Sequence, residues 1–485
     1  MTDVRGWGPR LLEGPRLSLA KKVASGHLRV HIVGAGGAGM NAMAIALAEM
    51  GHEVTGSDQQ ASAALRRLDA MGARTFVGHD AANVGGAEVV AFSAAVGAGN
   101  VELEEARRRG LPVLSRADLL AAICGTRRTV AVSGSHGKTT TTAMLAAVLE
   151  EGGVGPSFLV GGDLPGGRPG AKWTQGEWLV VEADESDGTF LRLPAEAVVV
   201  TSVEADHLDH FGTLAALEEA FRTFAAQAPG PKVVCLDDPG AVGVARALAG
   251  SQGLATYGTG EGATYGVGQL VLEKAGAHFV VSGPSGDLGS FQLGVPGLHN
   301  VLDAAAAIAT GAELGLGPDA ARRALASYQA VARRFELHGT AGGVTYVDDY
   351  AHNPGKVRAA LAAARNGGWR RVVAVFQPHR YSRTEALWEE LGRELAAADV
   401  VFVTGIYGAG EAPRPGVTGR MVAMAAENAR SGLLVYYAED RAELVPLLRR
   451  LLEPGDLCLT MGAGDLTTLP EELLKPGPGP ESGGP

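Results

Sequence analysis

Val130-Ala131-Val132-Ser133-Gly134-Ser135-His136-Gly137-Lys138-Thr139-Thr140 runs from a short apolar segment into a Gly-rich turn and straight on into helix-forming residues. The order predicts strand, loop, helix. Backbone N–H groups of such a turn, with the positive end of the helix behind them, face a phosphate chain, and the lysine adds a mobile charge. The threonine hydroxyl stands where a Mg2+ ion bridging phosphate oxygens needs a ligand. The stretch departs from G-x-x-x-x-G-K-[ST] at one place. Val132 occupies the first glycine position, which leaves the shorter G-x-x-G-K-T. Gly134, Ser135, His136, Gly137, Lys138, Thr139 and Thr140 are therefore the candidate triphosphate-binding residues. The alternative is an ordinary Gly-rich turn.

At 485 residues the chain exceeds one typical domain, and its length alone suggests about three. Glycine, at 70 residues, is about twice as frequent as usual, as a fold built of repeated strand-to-helix turns requires. The net charge of −11 gives no general attraction to nucleic acid or anionic membrane, so local Arg and Lys must do any phosphate binding. Three widely separated cysteines, Cys124, Cys235 and Cys458, form no C-x-x-C pair and imply no disulfide framework. No apolar run has membrane-spanning length. The polar, Pro- and Gly-spotted start lacks a secretory core and is expected to be a loosely ordered extension. These readings point to a cytoplasmic protein acting on small molecules, a monomer or weak homodimer.

Around the phosphate-loop motif the chain divides into an extension (1–27), three α/β blocks (28–126, 127–332 and 333–474) and a Pro/Gly/Ser-rich tail (475–485) expected to be disordered. In the first block, apolar strands at 28–33, 53–55, 89–93 and 113–114 alternate with helices, which implies a parallel sheet covered on both faces. The second block has strands at 130–133, 178–182, 197–201 and 233–236. Between residues 253 and 294 its pattern changes to short apolar runs, expected as small antiparallel strands at the sheet edge. A helix over 300–314 closes it. The third block has strands at 345–347, 372–376, 400–404 and 457–460. The fold class is α/β: a Rossmann-like N-terminal domain, a P-loop-type central ATPase domain and a Rossmann-like C-terminal domain.

Candidate site residues cluster just past strand ends, where such folds place their chemistry. Gly34-Ala35-Gly36-Gly37-Ala38-Gly39 fits G-x-G-x-x-G, with Asp58 at the distance expected for a ribose contact. Alone it reads as a dinucleotide fingerprint, but UDP also carries a diphosphate. Glu182-Ala183-Asp184-Glu185-Ser186-Asp187 offers hard oxygens for Mg2+. Glu204-Ala205-Asp206-His207-Leu208-Asp209-His210 follows another strand, and a zinc reading lacks partner ligands. Asn300, beside His299, has the character of a helix cap. In the third block, Asp348-Asp349-Tyr350-Ala351-His352-Asn353-Pro354 and Gln377-Pro378-His379-Arg380-Tyr381-Ser382-Arg383 form a rim suited to phosphate or carboxylate.

Together these motifs resemble the Mur ligases, the ATP-dependent amino-acid ligases of peptidoglycan synthesis, over nearly the whole chain. Gly134-Ser135-His136-Gly137-Lys138-Thr139-Thr140, Glu182–Asp187, Glu204–Asp209, Gly297-Leu298-His299-Asn300, Arg333-Arg334-Phe335 and Phe376–Arg383 are similar to the branch that joins L-alanine to UDP-N-acetylmuramate. Tyr407–Pro413 and Gly462-Ala463-Gly464 extend the match. The resemblance implies domains for UDP, ATP and amino acid, and activation of a lactyl carboxylate as an acyl phosphate. It implies that Lys138, His207, His352 and Arg380 are catalytic, and that Thr139, Glu182 and His207 hold Mg2+. His299 and Asn300 would meet adenine, and Arg334 and Asp349 the rest of the nucleotide. Gly36, Gly37, Gly39 and Asp58, with His379, Arg380 and Arg383, would bind the UDP substrate. Two positions depart from the branch. Asn353 replaces a second histidine, and Ser135 replaces a threonine. No lysine lies between His207 and Lys232, so no carbamylated lysine is expected there. Open alternatives are a recycling ligase that attaches a whole peptide to the same sugar, an NAD-dependent oxidoreductase with an added NTPase domain, and a non-catalytic nucleotide switch.

Overall fold

Burial of continuous apolar strands between helices sets the architecture. In a computed structural model that describes residues 15–206 and 208–475, the strands lie in three sheets. The chain forms two compact units. One contains residues up to 270 with 279–292 and 302–328; the other contains 271–278, 293–301 and the residues from 329 onward.

The five-stranded sheet and nearly all of the ten-stranded sheet belong to the first unit. Strands β1 (Arg29–Val33), β2 (Glu53–Asp58), β3 (Arg74–Val77), β4 (Val89–Phe92) and β5 (Val113–Ser115) pair in the order β3-β2-β1-β4-β5. All four pairings are parallel. The strand order reverses beside β1, so its C-terminal end opens the crevice where such sheets bind ligands. The Gly34–Gly39 turn lies at that point.

The next ten strands are β6 (Arg128–Ser133), β7 (Ser157–Leu159), β8 (Ala171–Lys172), β9 (Trp178–Glu182), β10 (Ala197–Val200), β11 (Lys232–Cys235), β12 (Leu254–Gly258), β13 (Tyr265–Leu272), β14 (Ala277–Gly283) and β15 (Gly286–Leu293). Their order is β15-β14-β13-β12-β11-β10-β6-β9-β7-β8. β6 lies between β9 and β10, parallel to both. Val130, Ala131 and Val132 are fully buried, the apolar run that a strand covered on two faces needs. One expectation is corrected here. Residues 254–258 join the parallel part of the sheet beside β11, and only β13, β14 and β15 extend the edge beyond them.

The second unit holds β16 (Glu336–Ala341), β17 (Val344–Asp349), β18 (Arg371–Phe376), β19 (Val400–Thr404), β20 (Leu434–Ala438) and β21 (Asp456–Met461). They pair in the order β16-β17-β21-β18-β19-β20, with only β16 antiparallel. The C-terminal ends of β17, β18 and β21 therefore lie side by side.

The expected loose extension is also corrected in part. Pro15–Ala24 is a helix. Its Ala20 and Val23 are buried, and the His52 ring donates from Nε2 to the Val23 carbonyl at 2.9 Å while Nδ1 accepts from the Leu28 N–H at 3.0 Å. Burial holds the His52 pKa below its usual value. Residues 1–14, the tail 476–485 and His207 lie outside the described residues.

Candidate functional site

The phosphate loop leaves β6 at Ser133 and enters the helix Lys138–Glu151. Gly137 caps that helix in the left-handed region, φ +78°, with no side chain supplying the cap. The first helical N–H groups thus stay open toward a ligand. A Cβ on Gly137 would overlap the Asp303 carboxylate, which accepts a 2.9 Å hydrogen bond from the Thr141 hydroxyl. Asp303 braces the loop from below.

Ser135 and His136 tie the loop to the segment following β10. The Ser135 N–H donates to the Ser202 carbonyl at 3.0 Å, and the Ser135 hydroxyl accepts from the Glu204 N–H at 2.8 Å. The Ser202 hydroxyl accepts from the His136 N–H, and the His136 ring donates from Nε2 to Glu204 at 2.9 Å. These bonds fix residues 202 and 204, and the bond from the Glu204 N–H needs only a hydroxyl at position 135, which serine supplies as well as threonine.

Lys138 is largely buried, with its ammonium 2.6 Å from the Gly134 carbonyl and 2.8 Å from the Glu185 carboxylate. Burial disfavours the charge, but Glu185, Asp184 and Glu182 together raise the Lys138 pKa. The lysine is therefore a fixed cation aimed along the loop. Glu182, at the end of β9, accepts from the Thr139 hydroxyl and from the Gly161 N–H, both at 2.9 Å. A Cβ at residue 161 would overlap Glu182, so only glycine permits this approach. Thr139 and Glu182 thus place two hard oxygens together beside the loop, a donor set that suits Mg2+. Among the described residues no group of three or more His, Cys, Asp or Glu is gathered for a metal ion, and the third expected ligand, His207, lies outside them.

The acidic run reaches further than its first glutamate. Asp184 is held well below the ordinary carboxylate pKa: burial opposes ionisation, but Lys138 and Arg116 outweigh it. Arg116 was not singled out from the sequence. It donates from Nη2 to Asp184 at 2.9 Å and to Asp187 at 3.1 Å.

In the first sheet, the Gly34–Gly39 turn hangs from β2. The N–H groups of Gly34 and Ala35 donate to the Ser57 carbonyl at 2.8 and 2.9 Å. Asp58 accepts from the Gly36 N–H at 2.9 Å. Asp58 therefore shapes the turn with one oxygen. Beneath lies a buried polar network. Glu102 accepts from Ser57 and Asn83, each at 2.6 Å, and contacts His79 at 3.0 Å. Burial opposes ionisation of Glu102, yet hydrogen bonds from His31, Ser57 and Asn83 hold its pKa at about 2.

In the second unit, Arg333 has φ +62° and Phe335 φ +50°, backbone strain held by several bonds. Arg333 donates to Asp348 at 3.1 Å and to the Gly462 carbonyl at 2.6 Å. Asp349, expected at the nucleotide, accepts from the N–H groups of Phe335 and Ala351, both at 2.8 Å. Burial raises its pKa to about 6. Arg333 and Arg334 both lie over the Tyr350 ring. His299 and Asn300 fall inside the first turn of the helix Leu298–Glu313, so Asn300 is not the cap. Its side chain donates back to the Pro296 carbonyl at 2.6 Å.

His352 and His379 lie near each other, ring centroids 5.7 Å apart, in opposite tautomers. His352 Nδ1 is 2.7 Å from the Tyr350 carbonyl, which only accepts, so Nδ1 carries the proton and Nε2 is bare. His379 Nδ1 is 3.0 Å from an Arg383 N–H, which only donates, so Nδ1 accepts. Burial, then the cations around them, pushes His352 well below its usual pKa and His379 down to about 4. Arg380 has φ +67° and an exposed side chain. Its N–H is held by the Tyr407 carbonyl at 2.8 Å. Asn353 caps the helix Pro354–Asn366 by accepting from the Lys356 N–H at 3.0 Å. A capping role is enough to account for asparagine at that position.

Three family models match successive parts of the chain. Residues 29–128 match the model described as "Mur ligase family, catalytic domain", residues 132–311 the "Mur ligase middle domain", and residues 333–464 "Mur ligase, glutamate ligase domain". The chain is 43% identical over 450 residues to the UDP-N-acetylmuramate–L-alanine ligase of Pelotomaculum thermopropionicum, covering 92% of this chain and 97% of that one. It is 44% identical over 451 residues to the protein of that name from Rubrobacter xylanophilus, covering 92% and 99%. The crystal structure of UDP-N-acetylmuramate-alanine ligase from Thermotoga maritima superposes with a TM-score of 0.78 at 28% identity, covering 92% and 98%. A murein peptide ligase from Psychrobacter arcticus shares the fold, TM-score 0.67 at 22% identity, covering 92% and 98%.

Proposed function

Since the chain belongs to the Mur ligase family, we propose that it joins L-alanine to the lactyl carboxylate of UDP-N-acetylmuramate with conversion of ATP to ADP and phosphate. One observation carries the choice of substrates: relatives named for this reaction align over 92% of the chain at 43–44% identity. ATP and a nucleotide sugar as substrates suit the cytoplasmic setting expected from the sequence, with the protein working as a monomer or weak homodimer.

A carboxylate oxygen of the sugar attacks the γ-phosphorus of ATP; the new O–P bond forms as the bond to the β-phosphate oxygen breaks. Lys138 compensates the charge gathering on the transferred group, and the N–H groups around Gly137 hold the phosphates in line. Thr139, Glu182 and His207 would hold Mg2+, which would supply further charge compensation there. The amine of alanine then attacks the acyl carbon. A C–N bond forms, the amine loses a proton, and phosphate leaves with the C–O bonding pair. The bare Nε2 of His352 has the polarity to accept a proton, and Arg380 and Arg383 supply cations for carboxylate or phosphate groups. His299, Asn300, Arg334 and Asp349 serve the nucleotide. Gly36, Gly37, Gly39, Asp58 and His379 serve the UDP substrate.

The test is release of ADP from purified protein given ATP, UDP-N-acetylmuramate and one amine at a time. L-Alanine is expected to support turnover. Turnover with a murein tripeptide and none with alanine would replace this reading by the recycling ligase. Lys138→Ala is expected to abolish turnover.

A further inference from the structure

Arg116 opens the helix Arg116–Cys124, just beyond the end of β5. Its side chain is largely buried and faces two ways. Nη2 is bound by Asp184 and Asp187 of the central acidic run. Nη1 lies 3.7 Å from the point where a Cβ on Gly39 would stand, in the first turn of the helix Ala38–Glu49. That helix is capped by Gly37 with no side-chain bond to its opening N–H groups. A guanidinium thus stands beside a row of uncapped donors at the crevice of the first sheet. Asp184 lies in the field of Lys138 as well as in that of Arg116.

We propose that Arg116 binds the diphosphate of the nucleotide-sugar substrate through Nη1 while Nη2 keeps hold of Asp184 and Asp187, so that filling the first-domain site fixes the acidic run beside the phosphate loop. The inference rests on the nucleotide-sugar reading above. A planar guanidinium can serve two acidic partners at once because its donors diverge from a single fork; a lysine ammonium cannot span them in the same way. No covalent step is involved.

UDP and uridine are the probes, titrated by calorimetry and, for uridine, by NMR. In Arg116→Met, UDP binding is expected to weaken about 10- to 100-fold, the range of one charge-assisted hydrogen bond, with uridine binding unchanged. Arg116→Lys is expected to recover part of the loss. Equal UDP affinity in the wild type and Arg116→Met would overturn the proposal. Failure of the wild type to bind UDP at all would instead remove the nucleotide-sugar reading. Coupling is read separately by amide hydrogen exchange over residues 184–190. UDP is expected to slow exchange there in the wild type but not in Arg116→Met. Asp187→Asn leaves the guanidinium in place, so it is expected to keep UDP affinity within about threefold while losing part of that protection. If Asp187→Asn lost UDP binding as Arg116→Met does, the direct diphosphate contact would be refuted. Thermal melting shows whether each variant is folded.

Discussion

At the scale of single residues, the central fact is a largely buried ammonium among three carboxylates. Lys138 stays charged because Glu185 is 2.8 Å away, and Glu185 itself is almost wholly buried. Glu185→Gln removes the charge but keeps the shape. Turnover is expected to fall at least tenfold, with a smaller change in the KM for the sugar, because the lysine loses its anchor rather than the substrate site its walls. Glu185 stood inside the quoted acidic run, yet its partner could not be read there. It lies 47 positions after Lys138, and only the adjacency of β6 and β9 brings the two together. Arg116 was invisible for the same reason, since no local pattern marks an arginine whose partners lie in another sheet.

Two titrating groups of the second unit make opposite predictions with pH. His379 has its folded pKa pushed down to about 4 from 6.5, so the unfolded chain takes up a proton first. Its contribution is complete above about pH 6.5 and is lost as pH falls toward 4. Asp349 has its pKa raised from 3.8 to about 6, so the folded form takes up the proton first. Its contribution works the other way, weakening stability as pH rises from 4 to 6. Urea unfolding at pH 4, 5 and 6.5 checks both. His379→Gln is expected to lose less stability on acidification than the wild type, and Asp349→Asn to lose more.

At the scale of elements, the loops that carry chemistry are fixed by what lies under them. The turn at Gly34–Gly39 hangs from Ser57, and Ser57 is bonded to Glu102. Glu102→Ala would leave Ser57, Asn83 and His79 without their acceptor. It is expected to lower stability by about 3 kcal/mol, the order seen when one partner of a buried charged network is removed. Weaker UDP binding should accompany the loss, measured by calorimetry on the folded fraction. Gly161→Ala tests the second loop. The added methyl would force Glu182 from its position, so the KM for ATP is expected to rise several-fold with little change in the KM for alanine.

The strands that position these loops were largely legible. β6, β9, β10, β18, β19 and β21 are apolar runs buried on both faces, a pattern with few other readings. The edge strands of the second unit were not. β20 begins with the exposed Leu434, and β16 carries the exposed Leu337, so neither shows a buried run. The helix Gly419–Ala429 was also missed, since it opens on glycine and no side chain caps it. Motif residues were legible as chemistry but not as geometry. Asn300 looked like a cap and lies within the helix, while Asn353 stood out as a departure and proved to be a cap.

At the scale of the whole molecule, each compact unit brings its own complement of charges to strand ends: a phosphate cradle with its cation in one, a histidine and arginine rim in the other. No helix among the described residues is long and apolar enough to cross a membrane. The helix Pro15–Ala24 is tied to the first unit through the His52 ring. A chain beginning at residue 26 is expected to melt several degrees lower while keeping its fold, which scanning calorimetry would show.

The three cysteines are all buried, and each lies in a different part of the architecture: Cys124 at the end of the helix that follows β5, Cys235 in β11 and Cys458 in β21. Burial drives their thiols up to about 12, 11 and 12. At neutral pH none is a nucleophile while the fold is closed. Alkylating reagents would therefore mark each sulfur only during transient opening of its own surroundings. Mass spectrometry of the modified peptides would then rank the regions by their local unfolding frequency, with no mutation introduced.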